Sequence, residues 1–156
     1  MATRSPTATG ADVIDDLYSA RVLALAANMP RAGRLAAPQA SSEKVSKLCG
    51  SRIVVDVVLT DGRVADFAQD VKACALGQAS AAVLGAHVIG ASVAELEAAR
   101  DALKAMLKEG GPAPQGRFAD LQVLAVVRDY PPRHASTMLA FEAVVDAAHR
   151  AQALTY

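Results

Sequence analysis

Two residues in this chain can supply a thiolate, a soft nucleophile and metal ligand: Cys49 and Cys74, its only cysteines. Cys49 stands in "KLCGSR", just ahead of a β-branched run. Cys74 stands in "DVKACALGQASA", directly before small helix-forming residues. Lys47 and Lys72 each precede a cysteine by two residues. A thiol at the start of a helix meets unpaired N–H groups and the positive end of the macrodipole. A nearby cation adds to that, and such surroundings favour the thiolate, the form that attacks sulfur and binds metal. The plainer reading is a pair of small buried hydrophobes, since free cysteine is commonly buried.

The elements around these thiols decide between the readings. Arg52–Thr60 is "RIVVDVVLT", with Ile53, Val55, Val57 and Leu59 on one face. Asp61-Gly62 follows, the strongest short hairpin signal, because a type I′ turn needs positive φ at both central positions. "RVADFAQDVKA" then returns as a second strand, with Val64, Asp66, Ala68 and Asp70 opposed to Phe67, Gln69 and Val71. Pairing outward from Asp61 and Gly62 without a bulge sets position 49 opposite position 74. The two thiols then lie side by side at the open end of the ribbon.

Helices account for the remainder. A helical period starts at Asp12, with Ile14, Leu17, Tyr18, Val22 and Leu25 on one face, and Asn28 and Pro30 end it. Residues 30–47 read as loop with a short strand near Glu43–Lys47. Helices are expected over Ala75–Ile89, from a Ser92/Glu95 capping box to Glu109, over Phe118–Val127, and from His134 to about Gln152. The expected class is α+β, a small antiparallel sheet of about three strands with helices packed against it. Residues 1–10 are expected to be disordered and 11–156 to form one domain. His87 and His149 fall within helical patterns and read as surface or packing residues. Lys104, Lys108 and Glu109 read as a solvated face.

Composition narrows the function classes. The 156 residues carry 16 basic and 16 acidic side chains and no Trp, which gives no basic excess and no aromatic patch for nucleic acid. The polar start "MATRSPTATGAD" lacks a secretory core. The apolar stretch from Ala73 to Ile89 is broken by Gln78, Ser80, Gly85 and His87, so no membrane span is expected. A cytoplasmic location follows as an expectation, and two cysteines there favour thiols or ligands over a disulfide.

"LCGSR", a hairpin, then "VKACALGQASAAVLG" resembles the iron–sulfur cluster assembly scaffold family, the IscU/SufU and NifU N-terminal type. The resemblance runs from about Leu17 to Ala148. "DLYSARVLALAANMPRAGRL" looks like the family's opening helix and its Asn-Pro-Arg loop, here Asn28-Met29-Pro30-Arg31. "YPPRHASTMLAFEAV" looks like the segment that carries the third cysteine. Two ligand positions depart from the pattern. Where the family has Asp, this chain has Ser51. Where the family has its third cysteine, an ungapped alignment from the proline puts Ser136. A gapped one puts Ala135 there, with His134 at the family's neighbouring His. The ungapped alignment keeps the downstream apolar spacing in step.

The resemblance implies a scaffold or sulfur acceptor working with a cysteine desulfurase and downstream apo-proteins, rather than an enzyme. The implied cargo is iron or a [2Fe–2S] cluster held through Cys49 and Cys74, with zinc as an alternative metal. A closed zinc site and a [2Fe–2S] cluster each want four ligands. His134 is a third candidate, with Ser51, Ser136 and Asp70 weaker ones, because neutral Ser binds soft cations far less well than thiolate. A homodimer could supply two cysteines per chain. Other readings are persulfide sulfur accepted on Cys74 or Cys49 without metal, a metal-free adaptor of the same fold, and a zinc-dependent sulfurtransferase partner. "DYPPRH" keeps the prolines of the family's chaperone-binding segment but not the rest.

Overall fold

The computed structural model describes residues 18–48 and 50–154. Three antiparallel strands form one sheet in the order β1-β2-β3: β1 (Ala40–Ser46), β2 (Ser51–Thr60) and β3 (Arg63–Lys72). Four α-helices accompany it: α1 (Ala20–Ala27), α2 (Ala75–His87), α3 (Val93–Glu109) and α4 (His134–Ala153). The expected α+β class is the observed one. β1 begins earlier than the Glu43–Lys47 strand read from sequence, since Ala40 already pairs with Val57. The expected first helix is seen from Ala20, its N-cap Ser19 accepting from the Val22 amide at 3.3 Å. Its stretch from Asp12 and the expected disorder of residues 1–10 lie outside the described residues.

The hairpin turn forms where Asp61-Gly62 put it, with φ of 53° and 75° at the two positions. Its register, however, is not the unbulged one. Leu59 pairs with Val64 but Val58 pairs with Asp66, so Ala65 is an extra residue in β3. Beyond it, each β2 residue meets the residue one further along β3 than simple counting gives, and the ladder closes at Arg52↔Lys72. The bulge also changes the faces. Val64 joins Phe67, Gln69 and Val71 on the inner face, while Asp66, Ala68 and Asp70 share the other. The expected facing of positions 49 and 74 rested on the unbulged count, and Cys49 lies outside the described residues.

The inner face of the sheet receives α4, which lies across β1 and β2; Ser42 on β1 donates to Asp146 on α4 at 2.6 Å. Helix α2 packs against α1 and α4, and α3 packs against α4. Each buried leucine of these helices, such as Leu84, Leu96 and Leu103, removes enough apolar surface to contribute about 2 kcal/mol. Phe118 meets Phe141 edge to face at 5.4 Å. The Ser92/Glu95 capping box is present, and Gly110 ends α3 at φ 67°. The short helix expected over Phe118–Val127 is a 3-10 helix that runs over Gly116–Asp129, broken by non-helical φ/ψ at Phe118. Among the described residues no helix is long and apolar enough to cross a membrane.

A loop, residues 31–39, crosses the outer face. It starts at the β3 edge, where Gly33 donates to the Gln69 carbonyl at 2.8 Å. It passes over β2 at Asp56 and reaches β1 at Ala40. Asp56 is 0% exposed, yet it is a carboxylate. Arg34 grips it with two N–H groups at 2.7 and 2.9 Å, the Leu35 amide donates at 3.0 Å, and the Ser41 hydroxyl adds a further bond. Burial pushes its pKa up, but these donors outweigh burial and hold it below the usual carboxylate value. A depressed folded pKa means stability that is present above the ordinary carboxylate range and lost as pH falls through and below it. Asp56→Asn is expected to cost on the order of 2 kcal/mol at neutral pH. In acid titration followed by circular dichroism, its stability should fall less steeply than wild type below about pH 4. Parallel acid profiles for the two proteins would show that Asp56 does not carry the dependence.

Candidate thiol site

Cys74 is the N-cap of α2, with extended φ/ψ of −66° and 169°. The residue before a helix must leave the strand and turn its first amides outward, and here β3 ends at Lys72, two residues upstream. The thiol is half-buried and free. Its side chain closes no capping hydrogen bond, although the amides of Leu76 and Gly77 face it.

Ser136 comes to meet it from the first turn of α4. The Cys74 Sγ lies 3.2 Å from the Ser136 Oγ, and the Ser136 Oγ lies 3.1 Å from the Ser51 Oγ at the start of β2. Ser136 is 0% exposed and Ser51 1%. Three separated stretches of sequence therefore converge on one short line of atoms. Ser46, the cross-strand partner of Ser51, borders it with a buried hydroxyl that has no hydrogen-bond partner.

Glycine makes the approach possible. A Cβ on residue 77 would stand 2.8 Å from the Ser136 Oγ, 2.8 Å from the Ala73 Cβ and 3.1 Å from the Ser136 carbonyl oxygen. Any side chain there would push α4 off the thiol.

Burial raises the Cys74 pKa. The Ser136 hydroxyl, the Gly77 and Leu76 amides and the charge of Arg133 more than offset it, so the thiol sits below its ordinary value. The lowered pKa matches the expectation, with a difference of cause. Arg133 is brought in by the fold, and it, not the sequence neighbour Lys72, heads the cationic contributions. As a thiolate, Cys74 can only accept, so Ser136 donates to it and Ser51 donates to Ser136. The two hydroxyls polarise each other along this chain.

The remaining candidates fall elsewhere. His134 is 9% exposed, and its Nε2 lies 2.9 Å from the Val127 carbonyl and 3.1 Å from that of Arg128. Both partners are acceptors, so Nε2 carries the proton and ties α4 to the end of the 3-10 helix. The ring borders a groove between α3 and α4, separate from Cys74. Among the described residues no three His, Cys, Asp or Glu side chains gather into a metal-holding group. Cys49 lies outside the described residues, so its part in a ligand set is an expectation only. Gly77 and Arg133 escaped the sequence reading. An Ala/Gly-rich helix start facing a Ser is the one signal that could have suggested Gly77.

The profile of the NifU-like N terminal domain matches residues 17–137. The chain belongs to that family. As a NifU-like domain it superposes on the nitrogen-fixing NifU-like protein (N-terminal) of Brucella abortus with a TM-score of 0.88 and 55% identity, over 90% of this chain and 98% of that one. It also superposes on the putative iron–sulfur cluster assembly scaffold protein for the SUF system of Fervidobacterium islandicum, TM-score 0.79 at 18% identity, over 86% and 98% of the two chains; at that identity the likeness is one of fold. No curated protein matches this NifU-like sequence. The family resemblance read from "LCGSR" and "VKACALGQASAAVLG" is thus the membership that the profile and the Brucella structure give.

The hydroxyl chain makes a direct forecast. Ser136→Ala should raise the Cys74 pKa, and Ser51→Ala should raise it less, because it acts through Ser136. The pH dependence of iodoacetamide alkylation of Cys74, in a Cys49→Ala background, reads both. Unchanged profiles would mean that the hydroxyls do not tune the thiol.

Proposed function

We propose that this NifU-like domain works in iron–sulfur cluster assembly as a sulfur acceptor, taking sulfur from a cysteine desulfurase onto Cys74. The observation that carries the reading is the half-buried, pKa-lowered thiol at the N-terminus of α2, within 3.2 Å of a buried hydroxyl. Family membership supports it.

The step balances without an added oxidant. The Cys74 thiolate attacks the outer sulfur of the desulfurase persulfide. A sulfur–sulfur bond forms at Cys74, the donor's sulfur–sulfur bond breaks, and the donor cysteine leaves as thiolate. The outer sulfur keeps its proton or releases it to solvent. Ser136 holds the attacking sulfur anionic and fixes its direction.

Iron or a [2Fe–2S] cluster is the cargo that the family implies. The described donors at the site are one thiolate and two neutral hydroxyls, which suit covalently bound sulfur better than a soft metal. Holding iron or a cluster would require Cys49, His134 or a second chain to complete the set. Zinc-dependent sulfur transfer is weakened by Ser51 and Ser136, which stand where the resemblance places Asp and cysteine. The same two serines favour a second reading, an adaptor that keeps the fold and binds the desulfurase without carrying sulfur. Cytoplasmic location and delivery to apo-proteins belong to the proposal.

Incubation with a cysteine desulfurase and cysteine under anaerobic conditions, followed by persulfide labelling and mass spectrometry, tests it. Wild type and Cys49→Ala are expected to carry sulfur on Cys74, and Cys74→Ala to lose at least about a hundredfold of the label, since the nucleophile itself is gone. No label on wild type while the desulfurase still binds would favour the adaptor.

A further inference from the structure

A second feature lies on the far side of the turn that carries Ser136. Helix α3 and the first turns of α4 enclose a groove of about 750 Å³. Arg100, Lys104 and Lys108 form one wall, Pro131, Ala135 and Glu142 the other, and the buried His134 and Met138 lie between them. The cations recur every fourth residue of one helix, so they stack along a single face about 6 Å apart.

Their charges are unequally compensated. Arg100 Nε is held by Asp101 at 3.0 Å. Lys104 and Lys108 have no ion-pair partner among the described residues. Asp101 lines the groove but is occupied by Arg100. Glu142 lies at the Arg100 end, where it also borders Lys44, and Glu109 flanks the outer side of the ridge with Asp101. Two ammonium groups thus border the groove outside any described ion pair, and its three cations outnumber the two carboxylates that line it, Asp101 and Glu142.

The lining limits what fits. It has no Phe, Tyr or Trp ring on which a base would stack, its one imidazole is buried, and no glycine-rich run of amides is there to wrap a phosphate. An extended peptide fits the geometry instead. Its alternate side chains share one face about 6.6 Å apart, close to the spacing of the ridge. We propose that this groove docks an extended acidic segment of a partner protein, with alternate carboxylates meeting Lys104 and Lys108. Each exposed pair contributes little by itself, so the docking is weak, salt-sensitive and stronger in encounter rate than in residence. The proposal stands apart from sulfur acceptance, because no groove residue touches Cys74.

An acetylated and amidated peptide of alternating Glu and Ser, titrated into the ¹⁵N-labelled full chain at low salt, is the test. Saturable shifts are expected at His134, Ala135 and Met138. Lys104→Glu with Lys108→Glu should weaken binding at least about tenfold, the sum of two such pairs. Arg21→Glu on α1 should leave binding within about twofold. Circular dichroism confirms that each variant is folded, and the wild-type shift map is decisive without them. Absence of saturable shifts, shifts centred elsewhere, or equal loss in Arg21→Glu would overturn the proposal. So would tighter binding of inorganic tripolyphosphate at the same residues, which would make the groove a phosphate site.

Discussion

The site depends on one close contact between two helix beginnings. Without a side chain at residue 77, the first turn of α2 accepts the first turn of α4 at a separation that would expel any Cβ. This contact brings Ser136 against Cys74 and Arg133 into range of its charge. The thiol's electrostatics therefore derive from packing more than from local sequence. Helix α4 cannot drift, because its other face is buried against β1 and β2 and its N-terminus is tied by the His134 ring to the carbonyls of Val127 and Arg128. Core packing, backbone hydrogen bonding and thiol acidity share one mechanical origin.

The thiol site also shows how a fold and its chemistry can separate. The three elements that meet at Cys74 are those where the resemblance placed ligands, yet two of the three side chains in contact are hydroxyls. A hydroxyl can donate a hydrogen bond to a sulfur anion, which a carboxylate or a second thiolate cannot do. Among the described residues, the contacts of Cys74 are thus ones of hydrogen bonding.

Much of this was legible in the sequence because it is local. Asp61-Gly62 can make few things other than a tight turn, and Ser92 with Glu95 writes a helix start. Cys74 as the cap of α2 followed from a β-branched run ending before small residues. The two faces of β3 past Ala65 were legible, but the face of Val64 and the register against β2 were not, because a bulge arises from how two strands twist together and leaves no mark in one of them. His134 looked like a ligand by residue type, and only tertiary contacts reveal which acceptors its ring meets. Asp56, in the middle of a hydrophobic run, carries no sequence signal for a buried carboxylate. Its burial depends on a loop that sequence left undefined, and Arg34, 22 positions away, supplies its counter-charge. The alignment of Ser136 rested on apolar spacing alone, and its 3.2 Å contact with Cys74 agrees with that choice.

The loop over the sheet's outer face has an effect beyond stability. By pairing around Ala32, it occupies the backbone N–H and carbonyl of Gln69 on the β3 margin of the ribbon. The other margin is β1, whose Ser41 carbonyl accepts from Arg150 at 3.0 Å and which carries Glu43 and Lys44, charges that discourage unwanted annealing to another chain. A strand that extended this sheet would therefore meet the loop at Gln69 on the β3 side and alternating charges on the β1 side, so both margins disfavour growth of the sheet.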